Sequence, residues 1–251
     1  MSLTKNTFSR VVVRPLTMAM FLGSLQKNSL IDYPGKWSCV YFVFGCNFHC
    51  PYCQNPDLVT GNLSHQLPID KQGFYDFLEK RKGFLDGVVI SGGEPTLRKD
   101  LAELCGTVKQ MGYPVKLDTN GSQPLVIEDL IQEGLVDYIA MDIKADLVGY
   151  AATIAEDFNP DSILSSIQII MESAKDYEFR TTCVRPLVDA GVIDRITQLV
   201  QGAKRYVLQG FHKTQVLDPD FFAALEPGYA QDEMMAFQSI AEPRVGSCSI
   251  R

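Results

Sequence analysis

Ser38-Cys39-Val40-Tyr41-Phe42-Val43-Phe44 runs straight into Gly45-Cys46-Asn47-Phe48-His49-Cys50-Pro51-Tyr52-Cys53, and this junction decides how the chain is read. The first seven residues are mostly β-branched or aromatic, the composition of a buried strand. The next nine hold a C-x3-C-x2-C spacing, close enough for one loop to curl round a single metal centre. Asn47, His49 and Pro51 stand among the thiols, which argues against three cysteines simply packed in a core.

Outward from that strand, short β-rich runs alternate with helical ones. Gly87–Ser91, Val115–Thr119, Asp137–Ile143, Tyr177–Val184 and Arg205–Gln209 read as further strands. Between them the periodicity predicts helices over Pro68–Arg81, Leu101–Met111, Leu125–Gly134, Ser162–Lys175 and Ile193–Gly202. Phe74, Phe77 and Leu78 make the apolar stripe of the first, and Ile163, Ile167, Ile170 and Met171 that of the fourth. Six βα units in series imply parallel strands with right-handed crossovers. They are too few for a closed eight-stranded barrel, so the expected fold is α/β, a partial (β/α)6 TIM-like barrel. One core domain over 18–218 suffices. Residues 1–17 carry Lys5, Arg10 and Arg14 without an acid and read as a poorly structured extension before Met18 or Met20, not a targeting segment. Residues 219–251 are expected to be a C-terminal extension or tail, loose over Ala241–Arg251.

Composition narrows the function. The 251 residues hold 23 Lys and Arg against 30 Asp and Glu, a net charge of −7 with no basic block, which disfavours nucleic acid as a partner. No window nears eighteen uninterrupted apolar residues, so no membrane-spanning helix is expected. Seven cysteines are too few for a disulfide scaffold, and an odd number suits a reducing compartment, so the cytoplasm is the expected location.

In parallel α/β folds ligands gather at the carboxyl ends of the strands, and polar residues recur there. Ser91-Gly92-Gly93-Glu94-Pro95 follows the second strand, with two glycines that permit close backbone approach and a carboxylate that can accept from an ammonium. Asp118 and Asn120 end the third. Asp142 and Lys144 end the fourth, two apart and so able to pair on one face. Arg180 lies within the fifth and needs an anion; His212 follows the sixth. For the metal, a zinc site would take the three thiols with His49 or His65 as a fourth ligand. An iron–sulfur cubane on three thiols would instead leave one iron open to substrate. Cys39, Cys105, Cys183 and Cys248 show no fourth-ligand spacing.

The C-x3-C-x2-C loop with Tyr52 before its last cysteine resembles the radical S-adenosylmethionine (SAM) superfamily, over roughly Leu30 to Phe211. Ser29-Leu30-Ile31-Asp32-Tyr33-Pro34-Gly35 and Gln54-Asn55-Pro56-Asp57-Leu58 resemble the activating enzymes of glycyl radical enzymes, those of anaerobic ribonucleoside-triphosphate reductase in particular. The resemblance implies one [4Fe–4S] cluster on Cys46, Cys50 and Cys53 and SAM held by Tyr52, Gly92, Gly93, Glu94, Asp118, Asn120, Asp142, Lys144, Arg180 and His212. It also implies a monovalent cation on Asp118 and Asp142 with the carbonyls of Thr119 and Ala140. The cluster and SAM, not a side-chain acid or base, would carry the chemistry. The implied partner is a glycyl radical enzyme, with reduced flavodoxin or ferredoxin as electron donor. Asp32 and its neighbours are candidates for that protein contact. Two other radical SAM readings stand beside this one: an enzyme acting on a small molecule, as 7-carboxy-7-deazaguanine synthase does, and a pyruvate formate-lyase-type activase. A zinc-stabilised binding module without catalysis is the reading from a different class.

Overall fold

The computed structural model describes residues 22–62, 68–155, 159–212, 215–224 and 226–251. In chain order these form β1 (Leu22–Ser29), β2 (Ser38–Val43), α1 (Pro56–Thr60), β3 (Ile69–Asp70), α2 (Lys71–Lys80), β4 (Gly87–Gly92) and α3 (Leu101–Gln110). There follow β5 (Val115–Thr119), α4 (Pro124–Gln132), β6 (Tyr138–Asp142), α5 (Leu147–Thr153) and α6 (Pro160–Ser173). β7 (Tyr177–Cys183), α7 (Ala190–Leu199), β8 (Tyr206–Gly210), α8 (Gln231–Ala241) and β9 (Cys248–Ile250) complete the set. The six strands expected from sequence are β2, β4, β5, β6, β7 and β8, and each is parallel to the next. With the additional edges the sheet order is β3-β1-β2-β4-β5-β6-β7-β8-β9.

The strands alternate between two environments, because successive side chains point to opposite faces. Cys39, Tyr41 and Val43 of β2, Ile90 of β4 and Leu117 of β5 are buried in the large core that also holds Phe74, Leu104 and Ile163 of the helices. Val40, Val89, Tyr138 and Ala140 face the other way and form a small second cluster with Tyr33, inside the barrel.

Two expectations need correction, and one strand was not foreseen. The second βα helix begins at Lys71, not Pro68, because Asp70 caps it through Gly73 N–H (2.8 Å) while Ile69 and Asp70 pair with β1. The segment before Ser38 contributes a full antiparallel strand, with Gly23 opposite Val43 and Ser29 opposite Ser38. Finally, Ala241–Arg251 is not a loose tail. Ala241 is buried, and Cys248, Ser249 and Ile250 pair with Tyr206, Val207 and Leu208 as a parallel edge strand. Residues 1–17 lie outside the described residues.

Candidate active site at the strand ends

The cysteine loop leaves β2 through Gly45, whose φ of +92° is one that only glycine adopts without strain. Backbone bonds then pin it on several sides. Gly45 N–H donates to Leu58 O (2.8 Å), His49 N–H to Ile154 O (2.8 Å), and Leu217 and Asp218 N–H to Cys53 O and Pro51 O (both 3.0 Å). The Gly-Gly pair after β4 grips it from the remaining side: Gly93 N–H donates to Val43 O (2.9 Å) and Glu94 N–H to Gly45 O (2.8 Å). A Cβ on Gly93 would stand 2.0 Å from Gly45 O, and one on Gly92 2.3 Å from Val43 N. The glycines therefore permit close approach to the end of β2 and to the cysteine loop, a packing demand that stands beside the ligand contact expected of them.

Glu94 is buried beneath this junction. Its Oε1 accepts from Thr96 N–H (3.1 Å), the Thr96 hydroxyl and the Thr119 hydroxyl (2.8 Å), while Oε2 accepts from Asn120 N–H alone (2.7 Å). The carboxylate thus ties the turn after β4 to the turn after β5 and keeps acceptor capacity on Oε2. Asn120 extends the link, donating from Nδ2 to Asn47 Oδ1 (3.0 Å) within the cysteine loop.

Cys46, Cys50 and Cys53 are free thiols on the wall of one pocket of about 370 Å³, together with Tyr52, Gly92, Gly93 and Glu94. Burial pushes the Cys46 thiol up to about 12 and Cys50 to about 11, so metal binding must displace protons there. Phe48 N–H donates to Cys46 Sγ (3.4 Å), a bond that favours thiolate character. Among the described residues no three His, Cys, Asp or Glu side chains converge closely enough to hold one metal ion. Three thiols spread along a shared wall suit a polynuclear group with one thiolate per metal better than a single ion. His65 lies outside the described residues.

Part of the lining is ionic. Arg180 Nε and Nη2 donate to Asp142 Oδ1 and Oδ2 (2.8 and 3.2 Å), a bidentate pair set by the β6–β7 register, and Nη1 lies 3.5 Å from Asp118 Oδ1. Lys144 Nζ lies 3.2 Å from Asp142 Oδ2. Asp118 is also bonded by Lys116 Nζ and by the Ser91 hydroxyl (3.0 Å). Burial alone would raise the Asp142 carboxyl, but Arg180 and Lys144 outweigh it and hold it well below the usual carboxylate range. Deeper in the barrel, fully buried Glu178 is matched by both terminal nitrogens of Arg251 (3.1 and 2.9 Å) and by Tyr138 Oη (3.1 Å). Lys116, Lys144 and Arg180 thus share Asp118 and Asp142 in one network of paired charges.

Of the residues singled out by sequence, Cys46, Cys50, Cys53, Tyr52, Gly92, Gly93, Glu94, Asp118, Thr119, Asn120, Asp142, Lys144 and Arg180 line this one pocket. Two do not. Ala140 is packed in the inner apolar cluster, and His212 is exposed, touching the site only through its carbonyl, which accepts from Gln54 Nε2 (2.8 Å). Sequence reasoning missed Lys116, although its position two residues before Asp118 on β5 puts both on the inner face. It also missed Tyr150, whose hydroxyl accepts from Lys144 N–H (2.8 Å) and fixes the chain beyond β6.

With this geometry in view, comparison with known proteins is specific. The Radical SAM superfamily model matches residues 40–202. A protein of Methanocaldococcus jannaschii named as a glycyl-radical enzyme activating enzyme is 36% identical, over 93% of this chain and 97% of its own. The pyruvate formate-lyase-activating enzyme of Listeria monocytogenes is 33% identical over 48% of this chain and 52% of its own. Among solved structures, Streptococcus suis SuiB bound to S-adenosylmethionine superposes with a TM-score of 0.64 at 13% identity, over 84% of this chain and 49% of that one, a likeness of fold. Cysteine loop, strand-end residues and relatives agree: the chain belongs to the radical SAM superfamily and, within it, to the glycyl-radical enzyme activating enzymes.

Proposed function

We propose that this activase generates a glycyl radical on an anaerobic ribonucleoside-triphosphate reductase, in the cytoplasm, with reduced flavodoxin or ferredoxin as electron donor. One observation carries the reading: three free cysteines and a set of paired charges line a single pocket at the strand ends. Cys46, Cys50 and Cys53 are the ligands of one [4Fe–4S] cluster, leaving one iron for SAM. Bound there, the cluster would supply the electron for reductive cleavage of SAM, and through it the removal of a hydrogen atom from a glycine α-carbon of the partner.

The chain's own residues bind and orient. Glu94 Oε2 and the backbone at Gly92–Gly93 receive the SAM ammonium. Arg180 and Lys144 receive its carboxylate. Because Arg180 already bridges Asp118 and Asp142, its guanidinium fills the role otherwise given to a monovalent cation. Tyr52 and Asn120 complete the walls. Asp32 lines the pocket, and beside it Leu30 and Ile31 are 75% and 81% exposed, which supports a protein partner at the open side. Among the described residues no helix is long and apolar enough to cross a membrane.

The test is anaerobic incubation of the reconstituted, reduced protein and SAM with each candidate partner, followed by electron paramagnetic resonance. A glycyl radical on the reductase is expected. A radical formed only on a pyruvate formate-lyase would overturn the choice of partner.

A further inference from the structure

Among the described residues three buried side-chain hydroxyls have no hydrogen-bond partner: those of Tyr41, Tyr52 and Tyr75. Tyr41 and Tyr75 both lie against Phe74 of α2, in the layer between sheet and helices, and neither lines the pocket. Tyr52 differs. It is 4% exposed, stands between Cys50 and Cys53 in sequence, and lines the pocket with them. Burial first, then the charges of Cys50, Tyr150, Asp142 and Cys53, hold its hydroxyl above the ordinary tyrosine range. Of these, Asp142 already has both oxygens engaged by Arg180 and Lys144. A buried hydroxyl is rarely left unpaired, and this one belongs to a side chain that lines the pocket shared by the three cysteines.

Resting on the cluster assignment above, we propose that the Tyr52 hydroxyl donates a hydrogen bond to a sulfur of the metal group held by Cys46, Cys50 and Cys53, and so sets its reduction potential. Reduction adds negative charge that is shared by the sulfurs. A donor aimed at one of them stabilises the reduced form more than the oxidised form and raises the potential. Phenylalanine keeps the same ring at position 52 but lacks this donor. Tyr52 is therefore a tuning residue whose effect is readable without turnover.

The experiment compares wild type with Tyr52→Phe, a substitution that keeps the ring and removes only the hydroxyl. Both are reconstituted, their iron and sulfide measured, and their midpoint potentials determined by redox titration without SAM. The expected result is equal iron content with a more negative midpoint in Tyr52→Phe. Resonance Raman in deuterated water should shift the iron–sulfur stretches of wild type, and less so those of the variant. In the metal-free proteins Tyr52→Phe should melt no lower than wild type, because no protein partner is lost; a lower melting temperature would reveal a partner within the chain and overturn the proposal. Unchanged potential with weakened SAM affinity would assign the hydroxyl to SAM and overturn it as well. Failure of wild type itself to take up iron and sulfide would instead overturn the cluster assignment beneath it.

Discussion

The two faces of one sheet do different work. On the outer face Tyr41, Ile90, Leu117, Met141 and Phe179 are wholly buried in the large apolar core against the helices. On the inner face β2 and β4 present Val40 and Val89, whereas β5, β6 and β7 present Lys116, Asp118, Asp142, Glu178 and Arg180. The same strands supply both sets by alternation. A parallel strand buried on both faces normally reads as continuously apolar. Val-Lys-Leu-Asp-Thr in β5 and Tyr-Glu-Phe-Arg in β7 depart from that at every second residue, so the departure itself marks a binding interior. Outer-face residues should therefore govern stability, and inner-face residues ligand binding.

The largest effect expected is on the outer face. Phe179→Ala removes a ring that is wholly buried in the core and should cost about 3–5 kcal/mol, read by urea denaturation. Retention of wild-type stability would break the assignment of that face. Next, Gly93→Ala places a Cβ against Gly45 O, so the cysteine loop must move. Iron uptake should fall severely while far-ultraviolet circular dichroism stays native; normal uptake would show that the grip of Gly93 on the loop is dispensable. On the inner face Arg180→Met strands Asp142 and part of Asp118, and breaking such a pair costs about 3–5 kcal/mol when it is fully buried, less here where the pocket admits water. The pair Arg180→Met with Asp142→Leu should recover much of that stability yet leave SAM binding weakened at least tenfold, by calorimetry. Recovery of both would deny Arg180 its binding role.

The smallest effect is that of acid. Asp137, Asp142 and Asp176 are held below the usual carboxylate range: burial pushes them up, but Lys109, Arg180 and Arg205 respectively, among other partners, outweigh it. A carboxyl depressed on folding stabilises above its unfolded pKa of about 4, and that contribution is lost as pH falls through the folded value. Stability is thus expected to be flat from these groups above about pH 5 and to decline below about pH 4. A decline beginning near neutrality would point to other groups.

Much of this was legible in the chain. The six central strands stood out because a buried strand needs β-branched and aromatic residues, and the cysteine loop because its spacing is short and its fillers are polar. β1 was not legible: Leu-Gly-Ser-Leu-Gln-Lys-Asn-Ser has no β-branched residue, and its conformation comes from pairing with β2. β9 is three residues long and owes its existence to the exposed edge of β8. In the site, Asp118, Asp142 and Arg180 were visible individually, but their mutual pairing follows from strand register, which a sequence does not print. His212 follows β8 but is exposed and outside the pocket lining, which its place after a strand does not reveal.

The central claim is that one pocket holds a SAM-responsive [4Fe–4S] cluster on three cysteines. Its most direct test is the electron paramagnetic resonance spectrum of the anaerobically reconstituted, reduced protein with and without SAM. A reduced-cubane signal that changes on adding SAM and is absent in Cys50→Ala is the expected result. Stoichiometric zinc, or an iron signal indifferent to SAM, would contradict the account.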